Sequence, residues 1–170
     1  MGLTLADSYF LKAKGAANGF YTDWEEACEA LNYALSYDEN HKASLCLMGE
    51  IHAKHFSNYE KAFEYFDKVI ALDIMHLEVY YTYAKYLIWA NKVKKAQKLL
   101  SFAFTLEGID KGELYWLLAY SLETTGNYKI ALKVLKKAQL ENYNEDFGNF
   151  LKNEIKRIKQ KIKMVRNGRK

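Results

Sequence analysis

Four alanines recur at a period that only a few architectures produce. Ala27, Ala62, Ala96 and Ala131 stand 35, 34 and 35 residues apart. Four positions after each comes a large apolar residue: Leu31, Phe66, Leu100 and Leu135. Three further on stand Ala34, Val69, Ala103 and Ala138, and three before each alanine stand Trp24, Tyr59, Val93 and Tyr128. Self-similarity at a fixed period of this length marks a repeat architecture, in which neighbouring units bury each other's apolar faces.

Each copy follows a second apolar-periodic segment, over roughly 8–20, 42–55, 77–90 and 112–124, with Gly15, Gly49, Ala84 or Ala119 at its middle. Short breaks ("YTD", "FSN", "ANK", "TGN") separate the two segments. Apolar residues recur every three or four positions in both, the period of a helix and not of a strand. The unit is therefore a helix–turn–helix hairpin. A small residue in each helix lets the backbones approach, and a bulky one a turn away, such as Phe66, fills the space beside the crossing. The chain contains no proline, which agrees with helix nearly throughout because proline removes a helical donor and clashes with the preceding turn.

These residues resemble the tetratricopeptide repeat, a 34-residue helical hairpin with a large residue, Leu–Gly and Tyr in its first helix and Ala, Phe and Ala in its second. The fourth unit matches best, through Tyr115, Leu118, Ala119, Leu122, Gly126, Tyr128, Ala131, Leu135 and Ala138; the second has Leu45, Met48, Gly49, Tyr59, Ala62, Phe66 and Val69, with one extra residue in its turn. The first unit's opening helix is the most degenerate, and the family's closing proline is missing throughout. The resemblance implies an all-α, right-handed α-solenoid of about four hairpins (about 8–41, 42–76, 77–110 and 112–144, within 1–144). Its repeat signature is Gly15, Ala27, Gly49, Ala62, Phe66, Ala84, Ala96, Ala119, Ala131 and Ala138. It further implies that the first helices line a concave face where a protein or peptide partner lies. That face would present Tyr9, Lys12, Ala16 and Phe20; Cys46, Glu50 and Lys54; Glu78, Tyr81, Lys85, Ile88 and Trp89; and Glu113, Trp116, Tyr120 and Glu123. Aromatic residues supply large contact area at interaction hot spots, and at least two of Tyr81, Trp89, Trp116 and Tyr120 are expected to be exposed there. The lysine and asparagine set with which some family members grip a C-terminal carboxylate is not filled: of Lys12, Ala16, Leu47, Glu50 and Thr82, only Lys12 is of the right type.

Residues 145–166 predict a basic amphipathic helix, with 167–170 as a tail. Leu151, Ile155, Ile158, Ile162 and Val165 form one stripe, spaced 4, 3, 4 and 3. The leading expectation is a cap on the last hairpin, whose outer face a solenoid otherwise exposes. A seven-residue seam pairing with a second copy is the next reading, which makes a homo-oligomer possible. Contact of the basic face with nucleic acid or an anionic surface is the least favoured. Net charge is +4, and residues 145–170 hold 9 Lys/Arg against 3 Asp/Glu, so the remainder is slightly acidic.

Little points to catalysis, a cofactor or a metal, and the chain is read as a non-enzymatic scaffold. No P-loop, phosphate cradle or nucleophile elbow occurs. His52 and His55 in "HAKH" lack a third ligand nearby and are read in core and turn roles. Glu25–Glu26 and Glu145–Asp146 lie at helix starts, where negative charge suits the helix dipole. Cys28 and Cys46 are expected to be buried thiols in a reducing compartment. With no apolar run long enough to span a membrane and no leader pattern, the expected location is cytoplasmic.

Overall fold

A computed structural model describes residues 2–18 and 21–167, and among them every regular element is a helix. The chain divides into two compact units, 1–79 and 80–170. The first contains α1 (Leu5–Asn18), α2 (Trp24–Tyr37), α3 (Lys42–Lys54) and α4 (Tyr59–Leu72). The second contains α6 (Val93–Ala103), α7 (Lys111–Thr124), α8 (Tyr128–Leu140) and α9 (Glu145–Asn167), together with nearly all of α5 (Glu78–Trp89). Among the described residues no helix is long and apolar enough to cross a membrane.

Side-chain caps set where the helices begin. Thr4 and Asp7 form a reciprocal capping box before α1: the Asp7 amide donates to Thr4 Oγ1 at 3.1 Å, and the Thr4 amide donates to Asp7 Oδ2 at 2.9 Å. Asp23, Asn58 and Asp110 cap α2, α4 and α7, each accepting from a backbone amide three residues on. Left-handed residues make the turns after α3, α5 and α7. Asn91 (φ 59°) and Gly126 (φ 78°) end α5 and α7 in the same way. The next amide donates five residues back, Lys92 to Leu87 and Asn127 to Leu122, which satisfies carbonyls that a helix end leaves open. After α3 the left-handed residue is Ser57, and Asn58 reaches six residues back to His52, accommodating the extra residue of that turn.

In unit 1, α1 packs on α2, α2 on α3, and α3 on α4. Ala13 and Ala17, Ala27, Ala30 and Leu31, and Met48 and Ile51 form one core. In unit 2, α6 packs on α7, α7 on α8, and α8 on α9. Tyr83 of α5 accepts from Lys95 Nζ of α6 at 2.7 Å, and Tyr80 and Phe102 join the same two helices. The buried Ser121 hydroxyl donates to Leu118 O at 2.8 Å and accepts from Gln97 of α6 at 3.1 Å. The four frame alanines, Ala27, Ala62, Ala96 and Ala131, are all 0% exposed, which gives the period its physical cause: a larger side chain there would force the paired helices apart. Ala84, Ala119, Ala138, Gly49 and Phe66 are buried as well.

The first repeat departs from the expected register. Gly15 is exposed, and nothing lies within 4 Å of the place its Cβ would take. Ala13 and Ala17 fill the α1 crossing instead. Two residues in either direction turn a helix about 200°, so they lie on the face opposite Gly15. Cys28 and Cys46 also differ from expectation, both being half-buried free thiols.

In unit 2, α9 covers the outer face of α8. Leu151 and Ile158 are buried against Ala131, Leu135, Ala138 and Ala119, with Phe147, Ile155 and Ile162 beside them. Glu123, near the end of α7, is buried beneath α9, where Arg157 and Lys161 hold it: Arg157 Nη2 lies 2.6 Å from Oε2, Lys161 Nζ lies 2.6 Å from Oε1, and Arg157 Nη1 also donates to Oε1. Burial alone raises the Glu123 carboxyl's pKa, but the bonds and charges of the two cations outweigh it and hold it below the ordinary value. Glu123 is thus a structural anchor and not part of an open partner face. Ile88 is likewise buried, at 5% exposure.

Candidate partner-binding surface

In unit 2 packing brings aromatic residues from three helices, α5, α7 and α9, into one row. Tyr81 of α5 stacks on Trp116 of α7, with centroids 6.2 Å apart and planes 26° apart. Trp116 stacks on Tyr120 one turn later at 6.1 Å, as the i, i+4 relation requires. Phe150 of α9 meets the edge of Trp116 at 5.4 Å and stacks on Phe147 at 5.8 Å. At the other end of the row, Lys85 Nζ lies over the rings of Tyr86 (4.6 Å), Tyr81 (5.7 Å) and Trp89 (5.8 Å). Trp89 stands edge-on to Tyr86 and is 51% exposed. Of the four rings expected to line an open groove, Trp89 is exposed, while Tyr81, Trp116 and Tyr120 are half-buried.

Two polar groups along this row, on Tyr81 and Glu113, are desolvated. Burial, followed by the neighbouring Asp110 charge, raises the Glu113 carboxyl's pKa. Burial, and secondarily Glu113, pushes the Tyr81 hydroxyl up to about 12. The Trp116 Nε1–H is buried without an acceptor among the described residues. Such a surface favours apolar and aromatic side chains, with single donors and acceptors to orient them. Phe147 and Phe150 were not among the sequence-derived site residues; their only signal was their position just ahead of the α9 stripe.

Unit 1 sorts its residues differently. On α3, burial and then the Glu50 and Glu78 carboxylates push the Cys46 thiol up to about 12. Lys54 extends over Trp24 of α2 at 5.8 Å, and Trp24 in turn stacks on His55 at 4.9 Å. Tyr9 and Lys12 turn toward α2: Tyr9 stacks on Tyr33 (5.2 Å) and Tyr37 (5.7 Å), and Lys12 pairs with Glu26 at 3.3 Å. Phe20 lies outside the described residues. His52 stacks on Tyr65 at 5.5 Å and His55 on Trp24, both histidines of "HAKH" also meet Phe56, and burial lowers the His52 pKa. Among the described residues no group of three His, Cys, Asp or Glu side chains could hold a metal ion.

Consecutive helix pairs with buried alanines in an all-helical chain are the tetratricopeptide-repeat fold. Solved structures of such proteins share it. PilW, a type IV pilus biogenesis factor, superimposes with a TM-score of 0.73 at 16% identity over 82% of this chain, and the chain spans 63% of that protein's length. MamA residues 41 to the end, from Desulfovibrio magneticus RS-1, superimposes with a TM-score of 0.66 at 21% identity, covering 97% of this chain and 95% of its own. A double mutant of MamA RS-1 gives the same TM-score at 20% identity. No family model and no curated protein matches the chain.

Proposed function

We propose that this chain is a non-catalytic interaction scaffold. Residues on the first helices of its hairpins, in each unit by itself, take a protein or peptide partner, and the chain serves as a subunit or assembly factor of a larger complex. The observation that carries this reading is the aromatic row of unit 2, which ends at the exposed Trp89. Tyr81, Lys85, Trp89, Trp116 and Tyr120 are its proposed contacts there. Tyr9, Lys12, Glu50 and Lys54 are those proposed in unit 1. A large exposed indole beside a cation over aromatic faces is the composition of an interaction hot spot. An apolar or amphipathic segment fits this row better than a highly charged one, because Tyr81 and Glu113 are already desolvated.

The test starts with capture of partners on the immobilised chain and their identification. Affinity is then measured between purified partner and chain, with Trp89→Ala and Tyr120→Ala as variants. Trp89→Ala is expected to weaken binding at least about tenfold, the scale of a hot-spot residue. A partner that binds both variants as tightly as the unmodified chain would remove this face from consideration.

A further inference from the structure

The two units carry opposite charge. Residues 1–79 hold 6 Lys/Arg against 13 Asp/Glu, a net of −7, and residues 80–170 hold 19 against 8, a net of +11. Each unit also concentrates its charge beside exposed apolar groups. In unit 1, one flank of α2 presents Glu26, Glu29, Tyr33 and Tyr37 at i, i+3, i+7 and i+11. All four are exposed, and the two tyrosines are stacked on Tyr9. In unit 2, the end of α9 overhangs the start of α8 and leaves a cleft of about 570 Å³, whose walls include Ile130, Ile162 and Val165 and whose cations are Lys129 and Arg166. Among the described residues no acidic side chain lines the cleft. Ile130 is 52% exposed in the cleft.

We infer that the cleft of one copy receives the α2 flank of a second copy, giving a head-to-tail association of the chain with itself. The flank is an acidic face with aromatic anchors, and the cleft is an apolar floor with cations at its edge, so each supplies what the other lacks. Tyrosine suits the contact because its ring fills an apolar recess while its hydroxyl stays at the wet edge. A nucleic acid would use the cations and leave the apolar floor unfilled, and a flat anionic membrane does not enter a concavity. The two surfaces differ, so the contact is heterologous and each copy keeps a free flank and a free cleft for further copies. This association does not use the aromatic row of unit 2 proposed above for another partner, although its flank adjoins Tyr9 and Lys12 of the contacts proposed in unit 1: the two tyrosines stack on Tyr9, and Glu26 pairs with Lys12 at 3.3 Å.

The test is light scattering on the full chain at rising concentration, with two variants at exposed positions. Glu29→Lys/Tyr33→Lys destroys the flank and keeps the cleft, whereas Lys129→Glu/Arg166→Glu does the reverse; circular dichroism checks that both are folded. The unmodified chain is expected to grow beyond a dimer at low salt and to dissociate as salt screens the charges. Each variant alone is expected to associate at least tenfold more weakly, and an equal mixture to stop at 1:1 dimers, since only one intact pair of surfaces remains. A chain that stays monomeric at all concentrations overturns the inference, and so does a flank variant that still self-associates, because that result requires a like-on-like contact. Vesicles of phosphatidylserine and phosphatidylcholine and a 20-base-pair DNA duplex are controls. Tighter binding of either one than of the chain to itself, lost in the cleft variant, also overturns it.

Discussion

The ring of Phe66 occupies the space that a side chain on Gly49 would need. A Cβ on that glycine would stand 2.7 Å from Phe66 Cε1 and 3.0 Å from Cζ, well inside contact distance. Glycine and phenylalanine are therefore one packing unit joining α3 to α4. Gly15, at the equivalent place in the first repeat's α1, has no such neighbour.

The two glycines should respond to alanine with opposite signs. Gly49→Ala overpacks a closed core and is expected to cost about 1–3 kcal/mol. Gly15→Ala meets open space in mid-helix and is expected to gain about 0.5–1 kcal/mol from lower backbone entropy in the unfolded chain. Urea unfolding measures both. A Gly49→Ala/Phe66→Leu double variant should recover part of the first loss, because neighbours sharing one space are not additive.

Gly126 holds the α7–α8 turn at φ 78° with no atom crowding it. Only backbone conformation opposes a side chain there, so Gly126→Ala is expected to cost about 1 kcal/mol, the penalty for placing an L residue in the left-handed region. A loss of several kcal/mol in thermal or urea unfolding would mean that the turn is more crowded than it is here.

Glu123 depends on two cations from α9. Replacing both, as Arg157→Met/Lys161→Met, strands a carboxylate that is 6% exposed and is expected to cost about 3 kcal/mol at neutral pH. In the native chain the Glu123 pKa is lowered, so its stabilisation is complete above its ordinary value of 4.5 and fades as pH falls through the lowered one. In the variant only burial remains and the pKa is raised, so the penalty grows as pH rises through that raised value. The difference in unfolding free energy between the two proteins should therefore shrink from pH 7 to pH 3.

Asp7 gives a second, separate pH signature. Hydrogen bonds from the Thr4 side chain and amide, and then from His41, hold its carboxyl down to about 2. A lowered pKa means that this contribution is present above the ordinary 3.8 and is lost as pH falls toward 2. Asp7→Asn should therefore lower Tm at pH 5 and make little difference near pH 2, as read by thermal unfolding across that range.

Periodicity alone determined that the chain is helical and which alanines of the second helices are buried, Ala27, Ala62, Ala96 and Ala131. A side chain at a helix–helix crossing is limited to a methyl group or a hydrogen, and that restriction leaves Ala27, Ala62, Ala96 and Ala131 in register through the sequence. The stripe from Leu151 to Ile162 likewise announced a helix with one buried face. Tertiary structure alone decided which way individual side chains turn. Tyr9 chose the tyrosines of α2, Phe150 came to rest on Trp116, and Glu123 paired with Arg157, 34 residues away. Gly15 lost its expected role because the first repeat crosses through Ala13 and Ala17. Local spacing records the helical period, which is a property of each segment by itself. The partner of a long side chain depends on packing between segments distant in sequence, and the helical period does not encode it.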